Sequence, residues 1–328
     1  MSDLLVGLLS AVLATNQAVA LSNMVQKRTG IAVTLPDKND PVEREYQKLL
    51  EADDEAQEDA DKWIKAEKNN IELGIRSVSL EARIKQRLDP VRKAYESFLQ
   101  RYPSHARARL AYGGFLNDIH EEDEAVVQWE KARELDPKLP AAWNNLANYY
   151  GHNGPILKAF EYYDKAIQLM PNEAVYYENF GTTVFLFRRD ATNYFKINEQ
   201  QVFDKAMALY AKAQELDPTN FVLATDIAQT YYGIKPPKTG NEEADAQSRQ
   251  KLGKDALAAW KKAFALARDD IERQGILMHF ARVQIDAGMF DEARKNMNAV
   301  TNEMFNTTKT NLTKKIAKLE AAKGTIQK

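Results

Sequence analysis

The sequence predicts an all-α solenoid of stacked helix-turn-helix repeats, and three observations carry that reading. Pro103, Pro137 and Pro171 stand 34 residues apart, and Pro218 follows 47 later, one period with an insertion. Before the last three prolines, small and aromatic residues fall at fixed offsets: Ala125, Trp129 and Ala132; Ala159, Tyr163 and Ala166; Ala206, Tyr210 and Ala213. Spacings of three and four place each trio on one helical face, the alanines admitting a neighbouring helix and the aromatic filling the space between helix pairs. Between the prolines a second face recurs at i, i+3, i+4, i+7: Trp143, Leu146, Ala147 and Tyr150, then Tyr177, Phe180, Gly181 and Val184, then Ala224, Ile227, Ala228 and Tyr231. Each proline lacks an N–H and fixes its own φ, so it closes one helix and opens the link to the next. Asp136 and Asp217, just before their prolines, suit the turn.

Taken in order, the chain opens with an apolar run, Leu4 to Ala14, followed by the small-residue stretch Ala18-Val19-Ala20. No Lys or Arg precedes Lys27, as a secretory signal would require. A run of this length is also too short for a bilayer, which takes about twenty residues. The expectation is a buried N-terminal helix and a cytoplasmic protein, with a secreted or periplasmic one as the alternative if residues 1–20 are a cleaved signal. Residues 26–40, with Gly30 and Pro36, read as an extended linker. Residues 43–68 read as a helix with an acidic cluster from Glu51 to Asp61. Val91, Tyr95, Phe98 and Pro103 read as the second helix of a worn first repeat. Insertions are expected near 188–202 and near 235–250, the latter as a solvated loop because of Pro236-Pro237 and Gly240. The lysine-rich tail from Lys309 to Lys328 reads as a terminal capping helix with a polar outer face. The resulting division is 1–40 apolar helix and linker, 41–102 N-terminal helices with the degenerate repeat, 103–307 repeat solenoid, and 308–328 cap.

Composition narrows the function classes. Across 328 residues, 45 basic and 47 acidic side chains leave a net charge of −2, which supplies no electrostatic footprint for nucleic acid. No cysteine is present, so disulfides, thiolate metal sites and a cysteine nucleophile are out. The four histidines, His105, His120, His152 and His279, show no metal-ligand spacing, and no phosphate loop, nucleophile elbow or dinucleotide fingerprint occurs. The expectation is no enzyme, no cofactor, no metal site, no nucleic acid and no stable membrane span.

The residues at these offsets resemble the tetratricopeptide repeat family, whose pattern runs Trp, Leu, Gly/Ala, Tyr, Ala, Phe/Tyr, Ala, Pro over 34 residues. Pro140 to Glu173 carries Trp143, Leu146, Ala147, Tyr150, Ala159, Tyr163, Ala166 and Pro171. Ala106 to Leu139 carries Tyr112, Gly113, Ala125, Trp129, Ala132 and Pro137, but has Arg109 where Trp is usual. The likeness extends over roughly Pro90 to Thr307. It implies a right-handed solenoid whose first helices line a concave groove, and a non-catalytic scaffold or adaptor that holds a protein or peptide there.

By family position, Arg107 and then Asn144, Asn145 and Asn148 face that groove. In the next repeat the groove positions are Glu178, Asn179 and Thr182; further on they are Asp226, Gln229 and Tyr232, then His279 and Arg282. Asn145 and Asn179 hold the place where related proteins use a side-chain amide to pair with a peptide backbone, an amide being both donor and acceptor. The family's clamp for carboxylate tails is not expected, because Leu110 and Gly114 stand where its Lys and Asn belong. The alternative reading is a self-assembling structural protein, a homo-oligomer with contacts through its N-terminal segment and charged ends.

Overall fold

The computed structural model describes residues 40–72, 80–236 and 239–326. The apolar N-terminal run and the linker before residue 40 lie outside the described residues. Among those described there are fourteen α-helices and no strand. The chain divides into two compact units at Tyr149/Tyr150.

The first unit holds α1 (Pro41–Glu72), α2 (Leu80–Arg101), α3 (Ala106–Asp118), α4 (Glu122–Leu135) and most of α5 (Pro140–Asn153). α1 packs on α2, and α3 packs on α4. α2 begins ten residues before the expected repeat and runs through Pro90, whose missing N–H breaks one internal hydrogen bond without ending the helix. Tyr95, Phe98, Tyr112, Phe115 and Trp129 are buried together, with Tyr95 and Tyr112 stacked at 5.2 Å. Tyr95 keeps its hydroxyl satisfied by donating to Asp53 of α1 at 2.6 Å. Gly113 has no Cβ for a packing reason: one built there would meet Trp129 Cδ1 and Nε1 at 2.4 Å. The Trp129 indole fills that space and donates to Leu110 O at 3.3 Å.

The second unit follows the same scheme. α6 (Ile156–Leu169) meets α7 (Ala174–Leu186), which pairs with α9 (Glu199–Leu216). α10 (Phe221–Thr230), with a 3-10 turn over Tyr231–Gly233, pairs with α11 (Glu242–Leu266), and α12 (Asp270–Asp286) pairs with α13 (Phe290–Ala299). α14 (Asn306–Ile326) closes the stack, burying Leu312 and Ile316 against Met278, Ile285 and Met297. The periodic residues of the sequence are its core: Ala159, Tyr163, Ala166, Ala206, Tyr210, Ala213, Ala256, Trp260 and Ala263 are at most 4% exposed. Each large aromatic removed from water contributes about 2–3 kcal/mol. Turns close as their residues dictate. Asp136 Oδ1 accepts from Lys138 N at 3.0 Å and Asp217 Oδ1 from Thr219 N at 3.2 Å.

Both insertions contain helix, where a solvated loop was expected for the second. Residues 188–202 contain α8 (Arg188–Phe195), which ends in a left-handed Lys196 before Asn198 and Gln201 form a capping box for α9. Residues 235–250 are not one solvated loop, because α11 begins at Glu242. Asn241 accepts from the N–H groups of Glu243 and Ala244, and Glu242, Glu243 and Asp245 favour the positive end of the helix.

Candidate functional site

The first helix of each hairpin buries one flank and leaves the other polar. In the first unit Arg107 is already engaged. It pairs with Glu43, its guanidinium lies 5.0 Å over the Tyr46 ring, and Tyr46 donates to Arg107 O at 3.2 Å. The side chain therefore straps α1 to α3, and a ligand there has to displace a carboxylate. On α5, Asn144 is only 6% exposed and its amide reaches Asn145 Oδ1 at 3.4 Å. Asn145 and Asn148 are half-buried. Trp143, expected on the core face with Leu146 and Ala147, is half-exposed instead. Its ring lies under the Arg133 guanidinium at 5.1 Å and its N–H donates to Pro137 O at 2.9 Å, so it seals the preceding turn rather than filling the interior.

In the second unit the polar flank comprises residues of α7, α10 and α12. Thr182 Oγ1 is 3.0 Å from Tyr210 Oη. Asn179 is half-buried, and its carbonyl accepts from Thr183 Oγ1 at 2.8 Å. Glu178 is half-buried and lies within electrostatic reach of Asp226 on α10 and of Asp217. Burial first, and those two carboxylates second, push its pKa up to about 7. The amide of Asn220 approaches it at 3.5 Å. Asp226 is also raised, by burial. Gln229 is exposed.

Tyr232, His279 and Arg282 form one assembly. Tyr232 Oη lies 3.0 Å from His279 Nδ1. His279 stacks on Trp260 at 3.9 Å with the rings 8° apart. Arg282 places its guanidinium 4.2 Å over the Tyr232 ring and remains exposed. Burial, and then the Arg282 charge, hold the His279 pKa down to about 4, so the imidazole is neutral. The Trp260 indole N–H is buried and finds no acceptor.

Sequence reasoning named most of these positions singly. It missed that Glu178 and Asp226 lie within electrostatic reach of each other and that Trp260 carries His279. The signal for the first pair was two acids at groove positions of successive repeats; nothing local signalled the second. Among the described residues no three His, Asp or Glu side chains gather to hold a metal ion, and no helix is long and apolar enough to cross a membrane.

An all-α stack of helix hairpins with a small–aromatic–small core stripe and a polar first-helix flank is a helical-repeat protein of the solenoid class. Residues 140–173 match the family model for the tetratricopeptide repeat, and the chain has the fold of a tetratricopeptide-repeat solenoid. No curated protein sequence matches it significantly. Among solved structures it is similar to PilW, described as a widely conserved type IV pilus biogenesis factor, at 16% identity over 70% of this chain and 93% of that one, TM-score 0.50. It is also similar to PilF of Pseudomonas aeruginosa, at 16% identity over 75% and 91%, TM-score 0.47. YrrB, described as a TPR protein with an unusual peptide-binding site, aligns at 12% identity over 68% and 99%, TM-score 0.48. At these identities the likeness concerns the fold.

Proposed function

We propose that this protein is a non-catalytic scaffold that holds a protein or peptide segment against the polar flank of its first helices. Tetratricopeptide repeats are interaction modules, and the first helices carry polar residues opposite their buried flank. The observation that carries the reading is the contrast on α10. Leu223, Ala224, Ile227 and Ala228 are buried, while Gln229 on the same short helix stands exposed. A side-chain amide in that place offers both a donor and an acceptor to a partner's main chain, whatever its sequence. Asn145 and Asn179 are assigned the same work, each in its own unit.

The test is affinity capture from the native organism with a photo-crosslinking residue in place of Gln229, followed by mass spectrometry. The expected result is one partner protein crosslinked through a defined segment. Its affinity falls about ten-fold or more in a variant carrying Asn145→Ala and Asn179→Ala. A partner bound with unchanged affinity by that variant, and not crosslinked through Gln229, rejects the first-helix flank as the docking surface. Crosslinks only between copies of the chain would favour the self-assembling alternative.

A further inference from the structure

The docking reading locates a partner; the charges on the second unit's flank specify its chemistry, and the inference below rests on that reading. The flank has opposite charges at its two ends. At one end Glu178 and Asp226 lie within electrostatic reach of each other on the successive first helices α7 and α10. Among the described residues no Lys or Arg pairs with either. Glu178 has the Asn220 amide at 3.5 Å, and the Asp226 carboxylate accepts from no described residue. Both carboxylates are half-buried without a counter-charge; burial disfavours the ionised form of each, the Asp226 charge adds to this at Glu178, and an arriving cation relieves that cost.

At the other end stands Arg282, exposed and with no carboxylate partner among the described residues. The acid one turn further on, Asp286, is taken by Lys315 of α14. The guanidinium rests on Tyr232, which is tied to His279, which is stacked on the fully buried Trp260. This platform holds the cation in place before any ligand arrives, which lowers the ordering cost of binding. Between the two ends, Gln229 lies three residues after Asp226 on α10 and three before Tyr232, which stands in the 3-10 turn that follows.

We propose that this flank docks an extended segment of a protein partner, with a basic side chain against Glu178 and Asp226 and an acidic group against Arg282. The spacing is set by the helix. Six residues from Asp226 on α10 to Tyr232 in the 3-10 turn rise about 10 Å, which an extended chain covers in about three residues. The basic and acidic groups of the partner therefore stand about three to four residues apart, with its main chain over Gln229. A nucleic acid does not fit, because its phosphates would face the two carboxylates. A polyamine leaves Arg282 unanswered, and a free amino acid is too short to span both ends.

The experiment uses the full chain and end-labelled octapeptides read by fluorescence anisotropy at low salt. The frame is neutral and extended, with Lys and Glu three positions apart in either order, and controls replace Lys, Glu or both with Gln. The expected result is that one order of the bipolar peptide binds about ten-fold tighter than the neutral frame. The variant with Glu178→Gln and Asp226→Asn loses the preference for Lys while keeping that for Glu, and Arg282→Gln does the reverse. Asp226→Lys, with its fold checked by circular dichroism, moves the preference from Lys to Glu at that position. Equal binding of all frames, still weakened by Asn179→Ala, overturns the charge assignment and leaves the docking reading standing. Bipolar preference that survives all three substitutions overturns it too. If no frame binds, the charge assignment is overturned, and the docking reading is decided separately by the Gln229 crosslink.

Discussion

The indole Nε1 of Trp143 donates to the carbonyl of Pro137 at 2.9 Å, and the same bond recurs wherever the fourth residue of a first helix has a donor long enough to make it. Arg109 Nε reaches Pro103 O at 2.9 Å, Tyr177 Oη reaches Pro171 O at 3.0 Å, and Arg273 reaches Ala267 O at 3.3 Å. All four span six residues. The turn after a helix leaves a carbonyl with no helical partner, and the first turn of the next helix carries a side chain back over it. Arg109, which breaks the repeat's Trp pattern, makes the same bond without an indole. Ala224, at the fourth position of its own repeat, has no donor and is buried instead.

The expected consequence is that Tyr177→Phe, which gives up only the bond, loses about 0.5–1.5 kcal/mol of stability, and that Trp143→Phe, which also gives up part of the ring, loses somewhat more. Urea unfolding of the two variants checks this. Trp143→Arg should recover most of the loss, as Arg109 does at its own turn. If Trp143→Phe unfolds at the wild-type midpoint, the bond contributes nothing.

Two adjacent glycines make a controlled pair. A Cβ on Gly113 would strike Trp129 at 2.4 Å, whereas one on Gly114 meets nothing within 4 Å. Both sit inside α3. Gly113→Ala is therefore expected to cost about 1–3 kcal/mol through overpacking. Gly114→Ala is expected to add about 0.5–1 kcal/mol, by restricting the unfolded chain and raising helix propensity. Thermal melts of the two variants should move in opposite directions; movement in the same direction would reject the close approach of Trp129 to α3.

The core was legible because its period is local. Ala159, Tyr163 and Ala166 sit within two helical turns, and any stack of helices at that interval must bury them. The role of Trp143 was not legible, since apolar periodicity cannot tell a ring in the core from one lying over a carbonyl. The start of α11 at Glu242 was masked by Pro236-Pro237 and Gly240, although Asn241 followed by three acids is a helix-start signal. In the candidate site, family position placed Asn144 toward the groove, yet it is 6% exposed. One residue of rotation on a helix, about 100°, separates a lining side chain from a buried one, and a repeat alignment does not resolve that. Glu178 and Asp226 are acids at groove positions of successive repeats, but an insertion of thirteen residues separates the repeats, and sequence alone does not bring the two charges within reach of each other.

The pKa of Glu178, raised from an ordinary 4.5 to about 7, sets a pH dependence of unusual sign for a carboxylate. The native state holds its proton where the unfolded state has released it, so stability falls as pH rises through that window. Glu178→Gln removes the cost. The variant should match the wild type near pH 4.5 and exceed it at pH 8, by on the order of 1 kcal/mol after allowing for solvent screening of a half-exposed group. Chemical denaturation at several pH values measures the difference, and a variant less stable than wild type at pH 8 would contradict the assignment.

His279 acts in the opposite direction. Burial and the Arg282 charge hold it down to about 4 from an ordinary 6.5, so the unfolded chain binds a proton in that interval that the native one refuses. Its contribution to stability is complete above pH 6.5 and is lost as pH falls toward 4. His279→Phe keeps a ring on Trp260 but gives up the bond with Tyr232, at a cost of about 1 kcal/mol at pH 7. The same change should flatten the acid limb between pH 6.5 and 4, leaving the opposing Glu178 slope exposed, so that this variant becomes more stable on mild acidification while the wild type does so less. Direct titration by NMR should place the His279 midpoint near 4. A midpoint near 6.5 would mean that the imidazole is solvated, and with it the stack that positions Arg282 would be absent.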